Sequence, residues 1–402
     1  MELFLERSRL LLRKVKGLRI LIPHRNRYKE KWAATRPKYP ATTLALQHFD
    51  DRYGSELGPL WPSVRVALLS EKKYGALLNI FCSDASLEEL QAQGCRDFIQ
   101  DKEAQTPFEH TSDGGAQNES SHVSPTEAEA ESLQPPPPQF SPNLQCFVFQ
   151  RGDITRFKPP KPDQFGLLGY YLMDAASVLP CLALDVKKGD AVLDLCAAPG
   201  GKSLVLLQTQ VMMSAGFICV NDLSASRIKR LKQVLHSYIP KQFLTDNKLR
   251  VTNVDGTLWG DEERSSFDKV LVDVPCTTDR HSLMEDDNNI FSKSRTGERR
   301  MLPQLQLQLL LSGIQTTCPG GEIVYSTCTL CQNQNQSVVE KAIHLAEENH
   351  NIQLEVVSLR PLVEMFRNTF HFAPDLHLGE MVIPHLAANF GPIYLCKLRR
   401  LS

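Results

Sequence analysis

From about residue 165 the chain settles into an alternation of short apolar runs and longer amphipathic stretches. The runs "AVLDLC", "FICVND", "LRVTNVD", "DKVLVDVP" and "GEIVYSTC" are almost wholly apolar, as strands covered on both faces are. Helical patterns lie between them. In "SASRIKRLKQVLHSYI", Ile228, Leu231, Leu235 and Ile239 recur at helical spacing, Arg227, Lys229 and Lys232 lie off that stripe, and Ser224 is the expected N-cap. The segments "LPQLQLQLLLSGIQ" and "NQSVVEKAIHLAEEN" read as two more helices, and another is expected from about Ser203. Apolar strands alternating with helices predict an α/β fold with a mostly parallel sheet and helices on both faces. Open sheets of this kind take ligands beyond the carboxyl ends of their strands.

The pattern upstream is different. Near the start, Phe4, Leu11, Val15 and Leu18 share one helical face while Arg9, Arg13 and Lys16 point elsewhere. Residues 1–40 hold twelve Lys/Arg and three Glu, whereas residues 101–135 hold one Lys and eight Asp/Glu. The net charge of −1 therefore hides a segregation and does not exclude a nucleic-acid partner. An Arg-rich amphipathic start predicts a mitochondrial transit peptide over 1–30, although Glu2 and Glu6 depart from the acid-poor pattern; a solvated basic arm is the alternative. Residues 31–102 read as a small helical or mixed subdomain. Residues 103–142, acidic and proline-rich with "QPPPPQF", read as a disordered linker, and 143–402 as the α/β domain. No apolar run approaches the ~18 residues needed to span a bilayer, so no membrane association is expected. Eleven scattered cysteines argue for a reducing compartment rather than a disulfide framework.

The candidate chemistry sits at the predicted strand ends. "DLCAAPGGK" (194–202) is a strand-end acid followed by a proline–glycine turn; it is neither GxGxxG nor a P-loop. Asp222 ends the next strand, about 20 residues past the glycines, where an acid accepts from ribose hydroxyls. Asp255 with Gly256 ends the third. One strand-end Asp is ordinarily a cap or turn former, but three in succession point to a nucleoside ligand. Cys276 in "DVPC" and Cys328 in "YSTC" follow the fourth and fifth strands. For Cys328, "CTLC" leaves open a redox pair or half a zinc site with Cys331, and simple packing; no second C-x-x-C supplies further zinc ligands, and no metal is expected.

"DLCAAPGGK", "DVPC" and "STC", in this order, resemble the Sun-domain family of S-adenosylmethionine-dependent RNA cytosine-C5 methyltransferases. "KWAAT", "LWPSVRVALLSEKKYGAL", "VPCTTDRHSL" and "ANFGPIYLCKLRR" are similar to the branch that acts on mitochondrial ribosomal RNA. The resemblance implies a Rossmann-like class I methyltransferase fold of seven strands, the last, "FGPIYLCKLRR", inserted antiparallel. It implies contacts to S-adenosyl-L-methionine from Gly200, Gly201, Lys202, Ser203, Asp222, Arg227, Asp255, Gly256 and Asp273, with Asp222 on the ribose and Asp255 on the adenine edge. It also implies mitochondrial small-subunit rRNA as substrate, the matrix as location, and a partner of the mitochondrial transcription termination factor family.

Cytosine C5 is a poor nucleophile, and adding a thiolate to C6 makes it enamine-like, splitting one hard step into easier ones. In the family resembled, the "TC" cysteine, here Cys328, is the nucleophile; the "PC" cysteine, Cys276, assists product release; and Asp273 protonates or hydrogen-bonds N3. A DNA cytosine methyltransferase would use the Pro-Cys thiol and need no second. The rival from another class is a non-catalytic RNA-binding assembly factor, against which the two intact cysteines argue. Many family members carry "PCSG" where this chain has "PCTTDR", which leaves Asp279, Arg280 and His281 open between a loop network and RNA contact. "KSRTGERR" (293–300) is equally open between a solvated helix start and an RNA-binding patch.

Overall fold

The computed structural model describes residues 39–100 and 140–402, apart from 83, 84, 210, 214 and 375. The expected transit peptide and nearly all of the expected linker lie outside the described residues. Four short strands, β1 (Gly75–Leu78), β2 (Arg96–Asp97), β3 (Cys146–Val148) and β4 (Tyr170–Met173), form an antiparallel sheet in the order β2-β3-β1-β4. This sheet draws on both sides of the expected boundary at residue 143, since β1 and β2 precede it and β3 and β4 follow it. Pairing of Asp97 with Phe147 satisfies backbone groups from both sides of the boundary at once, and the Asp97 carboxylate accepts from the Cys146 amide at 3.1 Å.

The central sheet comprises β5 (Ala191–Asp194), β6 (Phe217–Asn221), β7 (Leu249–Thr252), β8 (Phe267–Asp273), β9 (Thr317–Thr327), β10 (Leu354–Val357), β11 (Glu380–Val382) and β12 (Ile393–Arg400). Seven of them run in the order β10-β12-β9-β8-β5-β6-β7, with β11 added on β12. Pairings among β5 to β9 are parallel, and β12 runs antiparallel to both β9 and β10, as the family resemblance implies. The apolar runs are continuous because successive side chains enter opposite cores. Val192, Leu271 and Val324 pack in one layer, while Leu193, Val270, Val272, Ile323 and Tyr325 pack in the other.

The helix Ala225–Tyr238 starts as expected, with Ser224 Oγ accepting from the Arg227 amide at 3.4 Å, and it buries Ile228, Leu231 and Leu235. Ile239, the last member of the stripe, is buried just past the helix end. The preceding helix begins at Gly201, two residues earlier than expected. Its N-cap, Gly200, has φ 117°, and a Cβ there would lie 2.8 Å from Leu231 Cδ1.

The N-terminal helices Ala41–Leu57 and Trp61–Leu69 pack against the short helix Asp279–Met284 that follows Cys276. Phe49 stacks on Tyr53 at 5.0 Å between centroids, and Tyr53 meets the Trp61 edge at 5.4 Å. From this apolar cluster the Tyr53 hydroxyl donates to Asp279 Oδ2 at 2.8 Å, with Asp279 fully buried. Tyr53→Phe keeps the rings but removes a donor from a buried carboxylate. Urea unfolding is expected to show a loss of about 1–3 kcal/mol; an unchanged midpoint would mean that this contact does not tie the N-terminal helices to the core.

Candidate active site at the carboxyl ends of the strands

The strand order lays the predicted residues out in a row. Going across the sheet, β9 delivers Cys328, β8 delivers Asp273 and Cys276, β5 delivers Asp194 and the glycine turn, β6 delivers Asp222, and the turn after β7 carries Asp255. Because β5 lies between β6 and β8, the connections diverge about it and leave a crevice at its carboxyl end. The cysteines flank this crevice on one side and the strand-end acids on the other.

Cys276 and Cys328 meet, Sγ to Sγ, at 3.0 Å, and both are free thiols. The Cys276 thiol donates to Cys328, which lowers the Cys328 pKa against burial and the nearby Asp273 carboxylate, and the Lys202 ammonium adds to the effect. The same hydrogen bond, followed by burial, pushes the Cys276 pKa well up. The amides of Cys328 and Thr278 approach Cys276 Sγ at 3.3 and 3.4 Å and by themselves favour charge there. With Cys276 as the donor, its hydrogen bond is the largest effect lowering the Cys328 pKa and the Lys202 charge only a smaller one, so of the two thiols Cys328 ionises the more readily. Cys331 is not its partner. It is buried in the core layer on the other side of the sheet from the layer that Cys328 borders. Among the described residues no group of three or more His, Cys, Asp or Glu is placed to hold a metal ion.

Beside the thiols, Lys202 Nζ donates to Asp273 Oδ2 at 2.8 Å and Ser326 Oγ donates to Asp273 Oδ1 at 2.7 Å. Burial works against the Lys202 ammonium, but the charge and hydrogen bond of Asp273 prevail and push its pKa up. Lys202 therefore turns toward the cysteines. Ser203 is fully buried, its hydroxyl spent on Asp194 Oδ2 at 2.7 Å, so its side chain has no free reach toward a ligand. The first i→i−4 bond of this helix runs from the Leu204 amide to the Gly200 carbonyl, which leaves the Gly201, Lys202 and Ser203 amides ahead of it at the crevice. Burial raises the Asp194 pKa to about 7 against the Ser203 hydroxyl, and Asp194 Oδ1 is buried without a hydrogen-bond partner among the described residues.

Asp222 is buried, accepts from the Ser224 amide at 2.9 Å and pairs with Arg227 at 3.1 Å. Arg227 also donates to the Ala198 carbonyl, bridging the acid to the glycine turn. Asp255 Oδ1 accepts from the Thr257 amide and hydroxyl at 3.0 and 2.8 Å, the turn-forming use. Gly256 is close-packed, since a Cβ there would stand 2.7 Å from Leu309 Cδ2.

Of the residues left open after Cys276, Asp279 and Arg280 enter a loop network. Asp279 accepts from Tyr53, from Thr277 Oγ1 at 2.7 Å and from the Leu330 amide at 2.8 Å, while its own amide donates to the Cys328 carbonyl at 3.3 Å. One buried carboxylate thus fastens the two cysteine loops together. Thr278 between them has φ 48°, a left-handed conformation rare for a β-branched residue. Arg280 donates to the carbonyls of Ala67, Ser70 and Gly391 and to Asn389 Oδ1. His281 is exposed and, with Thr278, Arg280 and Cys328, lines a cleft of about 440 Å³ whose other side comes from Ser70, Glu71, Lys72 and Tyr74. In "KSRTGERR", Arg295 pairs with Glu298 at 2.6 Å and Arg299 lies 4.6 Å over the Phe291 ring.

Sequence reasoning missed Ser326, Tyr53, Thr277 and the N-terminal wall of the cleft. Ser326 has a signal in hindsight, standing two residues before Cys328 at a strand end; Tyr53 has none, because its partner lies 226 residues away.

Likeness to known proteins follows the same outline. A "Methyltransferase homolog protein" from Pyrococcus horikoshii superposes with TM-score 0.55 at 21% identity, covering 91% of this chain and 100% of that one, which shows a shared fold. The chain is 50% identical over 387 residues to "5-cytosine rRNA methyltransferase NSUN4" of Bos taurus, covering 95% of each. It is 34% identical over 362 residues to the mitochondrial "tRNA (cytosine(34)-C(5))-methyltransferase" of Mus musculus, covering 89% of this chain and 90% of that protein. The profile of the 16S rRNA methyltransferase RsmB/F family matches residues 181–387, the span from the crevice through both cysteine loops, and with these alignments running over nearly the whole chain the protein belongs to that family.

Proposed function

We propose that the protein is an S-adenosylmethionine-dependent rRNA cytosine-C5 methyltransferase acting on mitochondrial small-subunit rRNA, with a role in ribosome assembly. The observation that carries this is the pair of thiols 3.0 Å apart, close to the Lys202–Asp273 ion pair, with Cys328 lining the cleft. Family membership and the name of the bovine relative support the rRNA and the cytosine. The arginine-rich start and the mitochondrial name of the mouse relative support the matrix. A partner of the mitochondrial transcription termination factor family belongs to the same reading and rests on the resemblance alone.

The crevice fits the cofactor. It joins acceptors, the orphaned Asp194 Oδ1 and the buried Asp222, to donors, the helix amides left free after the glycine turn. That suits a ligand carrying an ammonium, a sulfonium and ribose hydroxyls. Bound there, S-adenosyl-L-methionine supplies an electrophilic methyl group. Gly200 and Gly201, with the Lys202 and Ser203 amides, would hold its amino-acid end. Asp222, steadied by Arg227, would take the ribose, and the Asp255–Gly256 turn would border the adenine.

The remaining steps fall to the chain's own groups. Cys328, as thiolate, forms a bond to C6 of an unstacked cytosine. Asp273, held by Lys202 and Ser326, stabilises the proton that N3 takes up from solvent as the ring becomes electron-rich and gives back when the ring is restored. C5 then takes the methyl group. Loss of the C5 proton to solvent expels the Cys328 thiolate and restores the ring. The Cys276 thiol, which donates to Cys328 at rest, donates again as that sulfur leaves, and a stabilised thiolate leaves faster.

Incubation with methyl-labelled S-adenosylmethionine and mitochondrial small-subunit rRNA is expected to place label at a cytosine C5. Asp222→Ala is expected to raise KM for the cofactor by about tenfold or more, the worth of a charged hydrogen bond. RNA binding without any methyl transfer would overturn the reading in favour of a non-catalytic assembly factor.

A further inference from the structure

Part of the cleft lining comes from the segment after the helix Trp61–Leu69, which the chemistry above does not use. This segment is held from several sides. Arg280 takes the Ala67 and Ser70 carbonyls at 3.3 and 3.4 Å, and Asn389 Nδ2 donates to the Ala67 and Glu71 carbonyls, both at 2.9 Å. The Lys73 amide donates to the Asn389 carbonyl at 2.9 Å, and Lys73 Nζ donates to the carbonyls of Phe149 and Asp153 at 3.1 and 2.7 Å. Tyr74 follows directly and then enters β1 at Gly75. On this fixed backbone Tyr74 is 41% exposed, and the Lys72 ammonium lies 4.7 Å from its ring centroid.

An exposed aromatic on an immobilised backbone, in the cleft that holds the nucleophile, has a physical use. A cytosine that leaves its stack to reach Cys328 strips its neighbour of a stacking partner. An aromatic face restores that contact and is indifferent to which base it meets. A ring already fixed by the main chain gives up little further freedom on binding. Lys72 polarises one face of the ring and brings positive charge to where a phosphate must pass. We propose that Tyr74, supported by Lys72, is the stacking site for the base adjacent to the target cytosine in single-stranded RNA. The inference rests on the RNA-methyltransferase reading.

The test uses the full chain, with RNA fragments spanning the cytosine it modifies. Tyr74→Ala is expected to raise KM for RNA about tenfold, with kcat little changed, and Tyr74→Phe to restore wild-type KM, because the ring and not the hydroxyl does the stacking. Removing the base on one side of the target, as an abasic nucleotide, is expected to cost the wild type the same factor and Tyr74→Ala nothing further. An unchanged KM for Tyr74→Ala overturns the inference, as does equal damage from Tyr74→Phe, or independent losses from ring and base. A wild type that transfers no methyl group to RNA overturns the function reading first, and this inference with it.

Discussion

Cys328→Ala is expected to abolish methyl transfer, by a factor on the order of 10⁴ or more, the scale of removing a covalent nucleophile. Cys276→Ala is expected to do something different: to arrest on its substrate as an RNA-linked species that survives a denaturing gel. The difference follows from one hydrogen bond. Cys276 donates to Cys328 across 3.0 Å and thereby stabilises the Cys328 thiolate. Losing that donor lowers the thiolate fraction but leaves a more basic and more nucleophilic sulfur, so attack on C6 suffers modestly. Elimination suffers more, since the same sulfur is now the poorer leaving group. The adduct therefore accumulates in Cys276→Ala and is absent from the double mutant. A band that appears with Cys328→Ala instead would reverse the two roles.

The lowered Cys328 pKa also sets the direction of the pH dependence. The reactive form is present above that pKa and is lost as pH falls through it, so kcat/KM is expected to decline on the acid side. The decline begins below the ~8.5 of an ordinary thiol. In Cys276→Ala the acid limb is expected to move up, because the donor that held the pKa down is gone.

The central sheet was legible because strands buried on both faces leave a continuous apolar run that no other element imitates at that length. The strand ends were legible for the same reason, since each run stops on an acid or a cysteine. What sequence could not convey was which strand-end neighbours touch. Lys202 reads as a cofactor contact from its place after the glycines, yet its side chain crosses to Asp273, a contact set by the β5–β8 pairing. The C-x-x-C spacing likewise suggested a partnership of Cys328 with Cys331, but the chain turns after β9 and drives Cys331 into the opposite core layer. Asp279 and Arg280 stood open between a loop network and RNA contact, and both act as fasteners, Arg280 while also lining the cleft. Their partners, Tyr53, Ala67 and Ser70, come from the far end of the chain, where no local pattern marks them. The small sheet was illegible because its strands are two to four residues long and come from both sides of residues 101–139.

Asp273→Asn is the other substitution with a large expected effect, and its signature separates a chemical role from a structural one. The amide keeps the shape and can still accept from Ser326, but it cannot balance the Lys202 ammonium or hold a proton at N3. The cost in stability is expected to fall below the ~3–5 kcal/mol of a broken, fully buried pair, because the Asp273 side chain keeps 28% exposure and Lys202 12%. The loss in kcat is expected to be about 10²–10⁴, the range for a positioned acid–base group. The acid limb moves the other way. Asp273 repels the Cys328 thiolate more strongly than Lys202 attracts it, so losing the carboxylate outweighs any weakening of the Lys202 charge. Removing the carboxylate therefore lowers the Cys328 pKa further and extends its reactive form to lower pH. A rate that falls a hundredfold or more while its acid limb shifts downward places Asp273 on the cytosine ring. A rate that falls with the limb moving upward would mean that Asp273 acts only by keeping Lys202 charged beside Cys328.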